Sequence, residues 1–322
     1  MSKRTSLFGD AIQYNNKVIG IMFAILCVLV GAFYLFFYKG NSGTTTTKFH
    51  YIAILGSDNL LYYSPITIDD PTKVSSWIPV NISITSGKLM DLSISNDKSI
   101  AVVSGTGSIV YSEFISGTPW VLVDQNANAI KVNFMNGVIY AIDKDNSKLY
   151  TYTKNVSGST ITWTKSTSNL TGPPGSNDLF QSISVNPNGG MFASVPSGTG
   201  GFFLFYKQFG GNWGPRLSGG GTDVSSNNNI MCMLGDQNND TIYCYFLSNS
   251  SWSSGPQIFH PNQAGGRRWK YVAVNPGYVT SVLACDDQKG VFYCPDITAT
   301  SIVWQQYDRT VTIANKAVIA HP

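Results

Sequence analysis

The 322-residue sequence predicts an all-β protein, a six-bladed β-propeller behind a single N-terminal transmembrane helix. Three observations support this prediction. Charged residues make up only 12% of the chain and glutamate occurs once, at Glu113, whereas solvent-exposed helices normally carry glutamate and lysine. Tryptophan recurs at nearly regular spacing along the chain, and a long apolar run lies close to the N-terminus. Seven blades are the alternative count.

The apolar run covers residues 18–38 and contains no charged residue, which is long enough to span a bilayer as a helix. No small-residue cleavage site follows it, so we interpret it as a retained signal-anchor. Lys3, Arg4 and Lys17 precede the run, and this excess of basic residues favours an N-terminus on the inside. The predicted organisation is a basic arm (1–17), a transmembrane helix (18–38), a flexible stalk (39–47) and a propeller (48–322). The propeller is expected outside or in a lumen, at a cell surface or a virion membrane.

Six of the seven tryptophans are 39 to 52 residues apart, and each follows a run rich in aromatic and β-branched residues. These runs, predicted to be the third strands of six units, lie at 60–64, 108–112, 148–153, 202–207, 241–246 and 290–294. A predicted hairpin lies upstream of most of them. Four antiparallel strands in 40–50 residues are typical of a propeller blade. We interpret the recurring tryptophans as packing residues between blades: Trp77, Trp120, Trp163, Trp213, Trp252 and Trp304.

The two ends of the predicted propeller are expected to meet in one blade. Residues 50–56 fit the second strand of the first blade, and residues 310–320 fit its innermost strand. This pairing would close the ring and leave no open edge between the first and last blades.

The end of several units carries traces of a known motif. Ser112, Gly117 and Trp120 follow a third strand, and Asp296 precedes Trp304 in the last unit. This pattern resembles the Asp-box repeat of sialidases and sortilin-type receptors, which reads Ser-x-Asp-x-Gly-x-x-Trp between two strands of a propeller blade. The first copy lacks the aspartate and the last lacks the glycine. The low-glutamate chain with a bare N-terminal anchor also looks like membrane proteins of large DNA viruses.

The residues that catalysis would need are not arranged for it. The sialidase resemblance implies three arginines around the substrate, but the four arginines after residue 47 all follow residue 215. The three histidines are isolated, which gives no support to a zinc site or a serine-histidine triad. We therefore predict no enzyme, no catalytic residues, no metal and no cofactor, with a sialidase-like glycoside hydrolase as a remote alternative. Acidic and basic residues balance from residue 40 onward, which argues against nucleic acid as a partner.

One segment combines basic and aromatic residues and is the predicted ligand-binding segment: Arg267, Arg268, Trp269 and Lys270. Arginine forks and an aromatic ring suit an anionic glycan or an acidic protein. The alternative is a surface loop whose tryptophan caps the sheet.

Four cysteines flank two predicted hairpin turns, in the pairs Cys232 with Cys244 and Cys285 with Cys294. Each pair is a disulfide candidate, and disulfides fit an oxidising compartment. Four reduced, buried cysteines are the alternative. Three sequons in predicted turns are glycosylation candidates: Asn155, Asn239 and Asn249.

Together these features predict a non-enzymatic, single-pass membrane protein that displays a propeller for recognition, like an attachment protein or a receptor. Its expected partners are the lipid bilayer and a protein or glycan ligand. The alternative function is structural: a virion membrane protein that tethers the membrane to a capsid shell, with capsid or other virion proteins as partners.

Overall fold

A computed structural model describes part of the chain. Contacts divide the chain into Met1–Thr47 and Lys48–Pro322, and every described residue belongs to the second unit. The predicted arm, transmembrane helix and stalk therefore lie outside the described residues, as do Arg267, Asn239 and Asn249. The described part contains no helix that could cross a membrane. It comprises residues 49–56, 58, 60–67, 70–74, 77–82, 88–95, 97–113, 119–145, 148–169, 180–196, 201–208, 210–214, 217, 221–235, 241–248, 251–253, 257–259, 268–277, 280–287, 290–299, 302, 304–306 and 313–320.

Within these residues the chain forms 25 β-strands in six antiparallel sheets, which we number in chain order. Sheet 1 contains β1 (Phe49–Gly56), β2 (Leu61–Thr67), β3 (Asp70–Val74) and β4 (Ile78–Val80). Sheet 2 contains β5 (Leu89–Ile94), β6 (Ile100–Ser104), β7 (Ile109–Ser112) and β8 (Val121–Asp124). Sheet 3 contains β9 (Ala129–Met135), β10 (Val138–Asp143), β11 (Lys148–Ser157) and β12 (Thr160–Asn169).

The second half of the chain repeats this pattern. Sheet 4 contains β13 (Ser182–Val185), β14 (Met191–Pro196) and β15 (Phe202–Lys207). Sheet 5 contains β16 (Gly221–Ser226), β17 (Ile230–Gly235), β18 (Ile242–Ser248), β19 (Ser251–Trp252) and β20 (Gln257–Phe259). Sheet 6 contains β21 (Trp269–Val274), β22 (Val282–Asp286), β23 (Val291–Cys294) and β24 (Gln305–Gln306). The last strand, β25 (Ile313–Ala320), returns to sheet 1.

The strand order closes the sheets into a ring. Sheet 1 runs β25-β1-β2-β3, so the C-terminal strand pairs with the first strand, as the sequence predicts. The innermost strands of sheets 2 to 6 are β5, β9, β13, β16 and β21, and each contacts the next. Strand β25 contacts both β21 and β5, which completes the circle. This architecture is a β-propeller, and the predicted third strands are present as β2, β7, β11, β15, β18 and β23.

The hydrophobic core is divided among the junctions between sheets. Six buried clusters each combine residues of two consecutive sheets, and one of them joins sheet 6 to sheet 1. Each of the recurring tryptophans packs, partly buried, against a different cluster and belongs to the later sheet of its pair. For example, Tyr111 and Trp163 meet edge to face across the junction of sheets 2 and 3, with ring centroids 5.0 Å apart.

Candidate functional site

The innermost strands surround a central channel, and short polar side chains join each one to the next. Asp91 Oδ2 accepts a hydrogen bond from the Val132 amide at 2.7 Å, and Ser93 Oγ accepts one from the Phe134 amide at 2.9 Å. Ser184 accepts in the same way from the Ser226 amide at 2.8 Å. The inner edge of a sheet would otherwise present unpaired N–H groups. These contacts also show that the innermost strands run parallel to one another.

Because the innermost strands are parallel, the propeller has two distinct faces. We call the side where these strands begin, at residues such as Leu89 and Trp269, the entry face. We call the side where they end, at residues such as Ile94 and Val274, the exit face. The turns between first and second strands lie on the exit face.

A layer of charged side chains lies in the channel towards the entry face. Asp91 and Asp223 are buried, and Lys131 and Tyr271 are partly buried at equivalent positions of neighbouring strands. Burial lowers the pKa of Lys131, but the negative charges of Asp91 and Asp223 outweigh it and leave the pKa above its ordinary value. Burial also raises the pKa of Tyr271. Lys131 is therefore a cation opposite two carboxyl groups, beside a neutral phenol.

The next layer towards the exit face is uncharged. It consists of Ser93, Asn133, Ser184, Ser225 and Ala273, which line a cavity of about 40 Å³ together with neighbouring residues of the same strands. A water molecule occupies roughly 10–15 Å³ by this measure, so the cavity has room for about three. This cavity is therefore polar and has room for a few water molecules rather than for a large ligand.

On the exit face, asparagines link consecutive turns. Asn136 Nδ2 donates to the Pro187 carbonyl at 2.8 Å, and Asn227 Nδ2 donates to the Asn275 carbonyl at 2.8 Å. Asn228 Oδ1 accepts from the backbone amide of Asn188 at 3.0 Å. The Nδ2 atom of Asn228 is buried and has no hydrogen-bond partner among the described residues. These hydrogen bonds join the turns of sheets 3 to 6 on the exit face.

An apolar groove of about 270 Å³ opens on the exit face between sheets 5 and 6. Its floor contains buried Ile230 and partly exposed Phe246 and Leu247. The rim is polar and is formed by Asn229, Thr280 and Thr298.

Asp296 holds the rim of the groove in place. Its Oδ1 accepts hydrogen bonds from the Thr280 hydroxyl at 2.6 Å, the Thr298 hydroxyl at 2.6 Å and the Thr298 amide at 2.9 Å. These bonds, from Thr280 first, lower the pKa of the Asp296 carboxyl, which is exposed and ionised at neutral pH.

The predicted ligand-binding segment lies on the entry face, opposite the groove. Arg268 and Lys270 are exposed there. The Trp269 side chain is 1% exposed and packs between Phe292 and Trp304, with ring centroids 5.3 and 5.5 Å away. Trp269 therefore has a packing position, as in the alternative interpretation of this segment, and its ring is not presented to a ligand.

The structure confirms one of the two predicted disulfides. Cys232 and Cys244 are bonded across β17 and β18, with Cα atoms 4.2 Å apart, at directly opposite positions. The prediction for Cys285 and Cys294 is wrong, since both are free. Cys285 lies opposite Val291, and Cys294 lies opposite Val282.

The separation of Cys285 and Cys294 follows from strand geometry. Positions 282 and 285 differ by an odd number of residues, so the two thiols point to opposite faces of sheet 6. Cys285 packs at the junction with sheet 1, and Cys294 packs at the junction with sheet 5. Burial raises the pKa of both thiols, that of Cys294 to about 11, so both stay protonated at neutral pH.

Of the three glycosylation candidates, Asn155 lies within the residues that the structure describes. It is exposed but lies within β11 rather than in a turn, three residues before Gly158. Its Nδ2 donates to the Thr164 hydroxyl at 2.9 Å and to the Thr153 carbonyl at 3.2 Å.

The charged channel layer was missed at the level of sequence, although a signal for it exists. Three innermost strands have a charged residue followed two positions later by Ser or Asn, as in Asp91-x-Ser93, Lys131-x-Asn133 and Asp223-x-Ser225. Such a pattern within otherwise apolar strands marks the edge that faces the channel.

Comparisons with known proteins identify the fold. No protein-family model and no curated protein matches the chain. A chain in the crystal structure of a nidogen/laminin complex is 11% identical over 84% of this chain and 98% of its own, with a TM-score of 0.59. The β-propeller domain of Myceliophteria thermophila Cps50 (Swd1) is 12% identical over 84% and 89%, with a TM-score of 0.48. A structure of YCF48 bound to D1 peptide is 14% identical over 82% of each chain, with a TM-score of 0.46. The first of these likenesses supports the propeller fold and nothing finer.

Proposed function

We propose that this chain is a single-pass membrane protein whose six-bladed propeller binds a protein ligand at its exit face. The blade count is supported by the six sheets of the described residues and by the six clusters that join consecutive sheets, each with its own tryptophan. The membrane anchor is supported by the uncharged apolar run at residues 18–38.

The disulfide supports an outside or lumenal propeller. Structural disulfides persist in oxidising compartments and are rare where glutathione keeps thiols reduced. The Cys232–Cys244 bond belongs to the unit that follows the apolar run. The basic residues before that run independently favour an outside or lumenal position for this unit.

The groove between sheets 5 and 6 is the observation that carries the binding proposal. A concave apolar floor with a polar rim is the usual form of a site that takes a hydrophobic side chain. The partly exposed Phe246 and Leu247 supply the floor, and the Thr280 and Thr298 hydroxyls held by Asp296 supply the rim. An extended protein segment with an aliphatic or aromatic residue fits this arrangement. The similar propeller of the nidogen/laminin structure is likewise found in a protein complex.

The exposed Arg268 and Lys270 on the entry face are a second candidate surface. Their charges would suit an acidic protein or an anionic glycan, as the sequence predicts.

A binding experiment with two sets of variants distinguishes these surfaces. The full chain in lipid nanodiscs is screened against a displayed library of random peptides and against a glycan array. We expect peptides with a large apolar residue to bind, to lose binding with Leu247→Lys, and to keep it with Leu122→Lys. Leu122 is a matched control because it is 45% exposed on a different sheet.

The other outcomes contradict this proposal in different ways. Loss of binding with Arg268→Ala/Lys270→Ala, and not with Leu247→Lys, would move the site to the entry face. Binding to glycans alone would exclude a protein ligand in the groove. A folded chain that binds neither library would favour the structural alternative, in which the propeller contacts only its own assembly.

A further inference from the structure

Strand β12 is the longest outermost strand in the described part of the propeller. It pairs with β11 over ten residues, from Lys148 opposite Asn169 to Ser157 opposite Thr160, without a shift in register. Within the described residues the other sheets end in shorter or interrupted strands. Strand β8 has four residues and a bulge, β4 has three residues and includes Pro79, and β24 has two. Sheet 4 ends in isolated bridges beyond β15.

An outermost strand of this kind is able to accept another strand. It presents a row of backbone N–H and C=O groups, and proteins usually block such edges with proline, bulges or projecting charges. Among the described residues β12 pairs only with β11, and it contains neither proline nor a bulge.

The side chains of β12 are divided sharply between its two faces. One face carries exposed hydroxyl groups only, at Thr160, Thr162, Thr164 and Ser166. The other face carries Ile161 and Trp163, which pack against the cluster between sheets 2 and 3.

Lys165, the one charged residue of the strand, does not project from the edge. Its Nζ lies 2.7 Å from Asp124 Oδ2 and 4.3 Å from the centre of the Tyr150 ring. The lysine is thus folded back onto sheets 2 and 3, and its charge is balanced there. The edge therefore presents no net charge that would repel an identical edge.

We propose that β12 pairs antiparallel with β12 of a second copy of this chain, about a two-fold axis at Thr164. In an antiparallel pair of identical strands the two-fold axis is perpendicular to the sheet. Each residue therefore lies directly opposite a residue of the copy whose side chain is on the same face of the sheet. The centre of the pair is then either Thr164 or Lys165, because these are the middle residues of the strand. A centre at Lys165 would oppose two lysines, which is unfavourable.

The register centred on Thr164 is self-complementary. Thr164 meets its own copy, and Thr162 meets Ser166, so hydroxyl groups oppose each other along one face. Cross-strand pairs of threonine and serine are favourable in antiparallel sheets. On the other face Lys165, held by Asp124 of its own chain, lies opposite Trp163 of the copy, so no like charges oppose each other there. A neutral, self-complementary edge fits a second copy better than a partner of opposite charge.

The contact is expected to be weak. Nine paired residues extend over about 30 Å, and a strip of this length and the width of one sheet buries less area than a standard protein interface of about 1,600 Å². Covalent trapping is therefore the appropriate assay.

Cysteine cross-linking in the membrane tests both the pairing and its register. The full chain carries Cys27→Ala, and the remaining cysteines are buried or already bonded. We expect Thr164→Cys to give a cross-linked dimer under mild oxidation, because opposite Cα atoms in antiparallel strands lie about 4.5–5.5 Å apart. Ser166→Cys is the matched control, since its copy would be about 13 Å along the strand and out of reach.

A mixture adds a second test of the register. Chains with Thr162→Cys and chains with Ser166→Cys should not cross-link separately but should cross-link when co-expressed. Equal cross-linking of Thr164→Cys and Ser166→Cys would indicate random collision and would overturn the proposal. Absence of cross-linking in every variant would also overturn the proposal. The edge of β12 would then be a candidate for pairing with a strand of another protein.

Discussion

Reduction of the Cys232–Cys244 disulfide should lower the stability of the propeller by a predictable amount. The bond joins residues 12 apart, so it closes a short loop in the unfolded chain. The chain-entropy relation gives about 3 kcal/mol for a loop of this length at 25 °C. Both side chains are fully buried at the junction of sheets 5 and 6, and reduction removes no atom that would leave a cavity. Loop entropy should therefore dominate the difference.

The measurement compares the oxidised and reduced full chain by thermal unfolding in the same detergent. Since neither sulfur is accessible in the folded protein, the reduced sample is unfolded, reduced and refolded in the presence of the reductant. We expect the melting temperature of the reduced sample to be lower by about 5–10 °C, because a loss of about 3 kcal/mol has an effect of this size in a domain of this length. A Cys232→Ala/Cys244→Ala variant is the control and should not respond to the reductant.

Thiol counting supplies the decisive result. The chain has five cysteines, and three should react with a maleimide in denaturant before reduction. If all five react, the bond is not formed and the proposed oxidising location of the propeller is refuted. If three react but reduction leaves the melting temperature unchanged, the loop-entropy reasoning is wrong.

Three further predictions concern the core and the channel. Lys131→Met should destabilise the protein by about 3 kcal/mol in urea unfolding, because two buried carboxyl groups lose their cation. As a control, Lys165→Met removes the cation of a partly exposed ion pair with Asp124 and should cost less than about 1 kcal/mol. Similar losses in the two variants would contradict a special role for the channel layer. Trp269→Ala should cost about 3–5 kcal/mol in thermal unfolding, since the side chain is 1% exposed, and a loss below about 1 kcal/mol would place it on the surface. Burial, and then the hydrogen bond to Asp124, raises the pKa of Tyr152 above its unfolded value, so its contribution to stability is complete below about pH 10 and is lost as the pH rises further. Unfolding of wild type and Tyr152→Phe at about pH 8 and 11 checks this, and an equal loss in both would contradict it.

Much of the propeller could be predicted from local patterns, because each strand has a signature of its own. Runs such as 148–153 are aromatic and β-branched, and the turn at Asn136-Gly137 joins two apolar runs, so strand positions follow from a few neighbouring residues. The pairing of β25 with β1 was predictable for a different reason, since a ring of sheets has to close its last edge.

The errors arose where the outcome depends on register. Cys285 and Cys294 flank a hairpin just as Cys232 and Cys244 do, but Cys285 lies opposite Val291, three residues from Cys294. This odd offset places the two thiols on opposite faces of their sheet. Trp269 likewise lies beside basic residues in the sequence, and strand alternation alone decides that the ring points into the core while its neighbours point out.

The two edges of each sheet are treated differently, and the inner edges favour short polar side chains. A propeller leaves two edges on every sheet. At the inner edges, short side chains such as Ser93 and Ser184 accept hydrogen bonds from the next innermost strand, and the cavity between them measures only about 40 Å³. A glutamate at these positions would overfill that space, whereas serine, asparagine and aspartate fit it. At the outer edges most of the described strands are too short or too irregular to recruit another strand. Strand β12 combines a long, regular edge with a hydroxyl-rich face, and this combination distinguishes it as a surface for contact between chains.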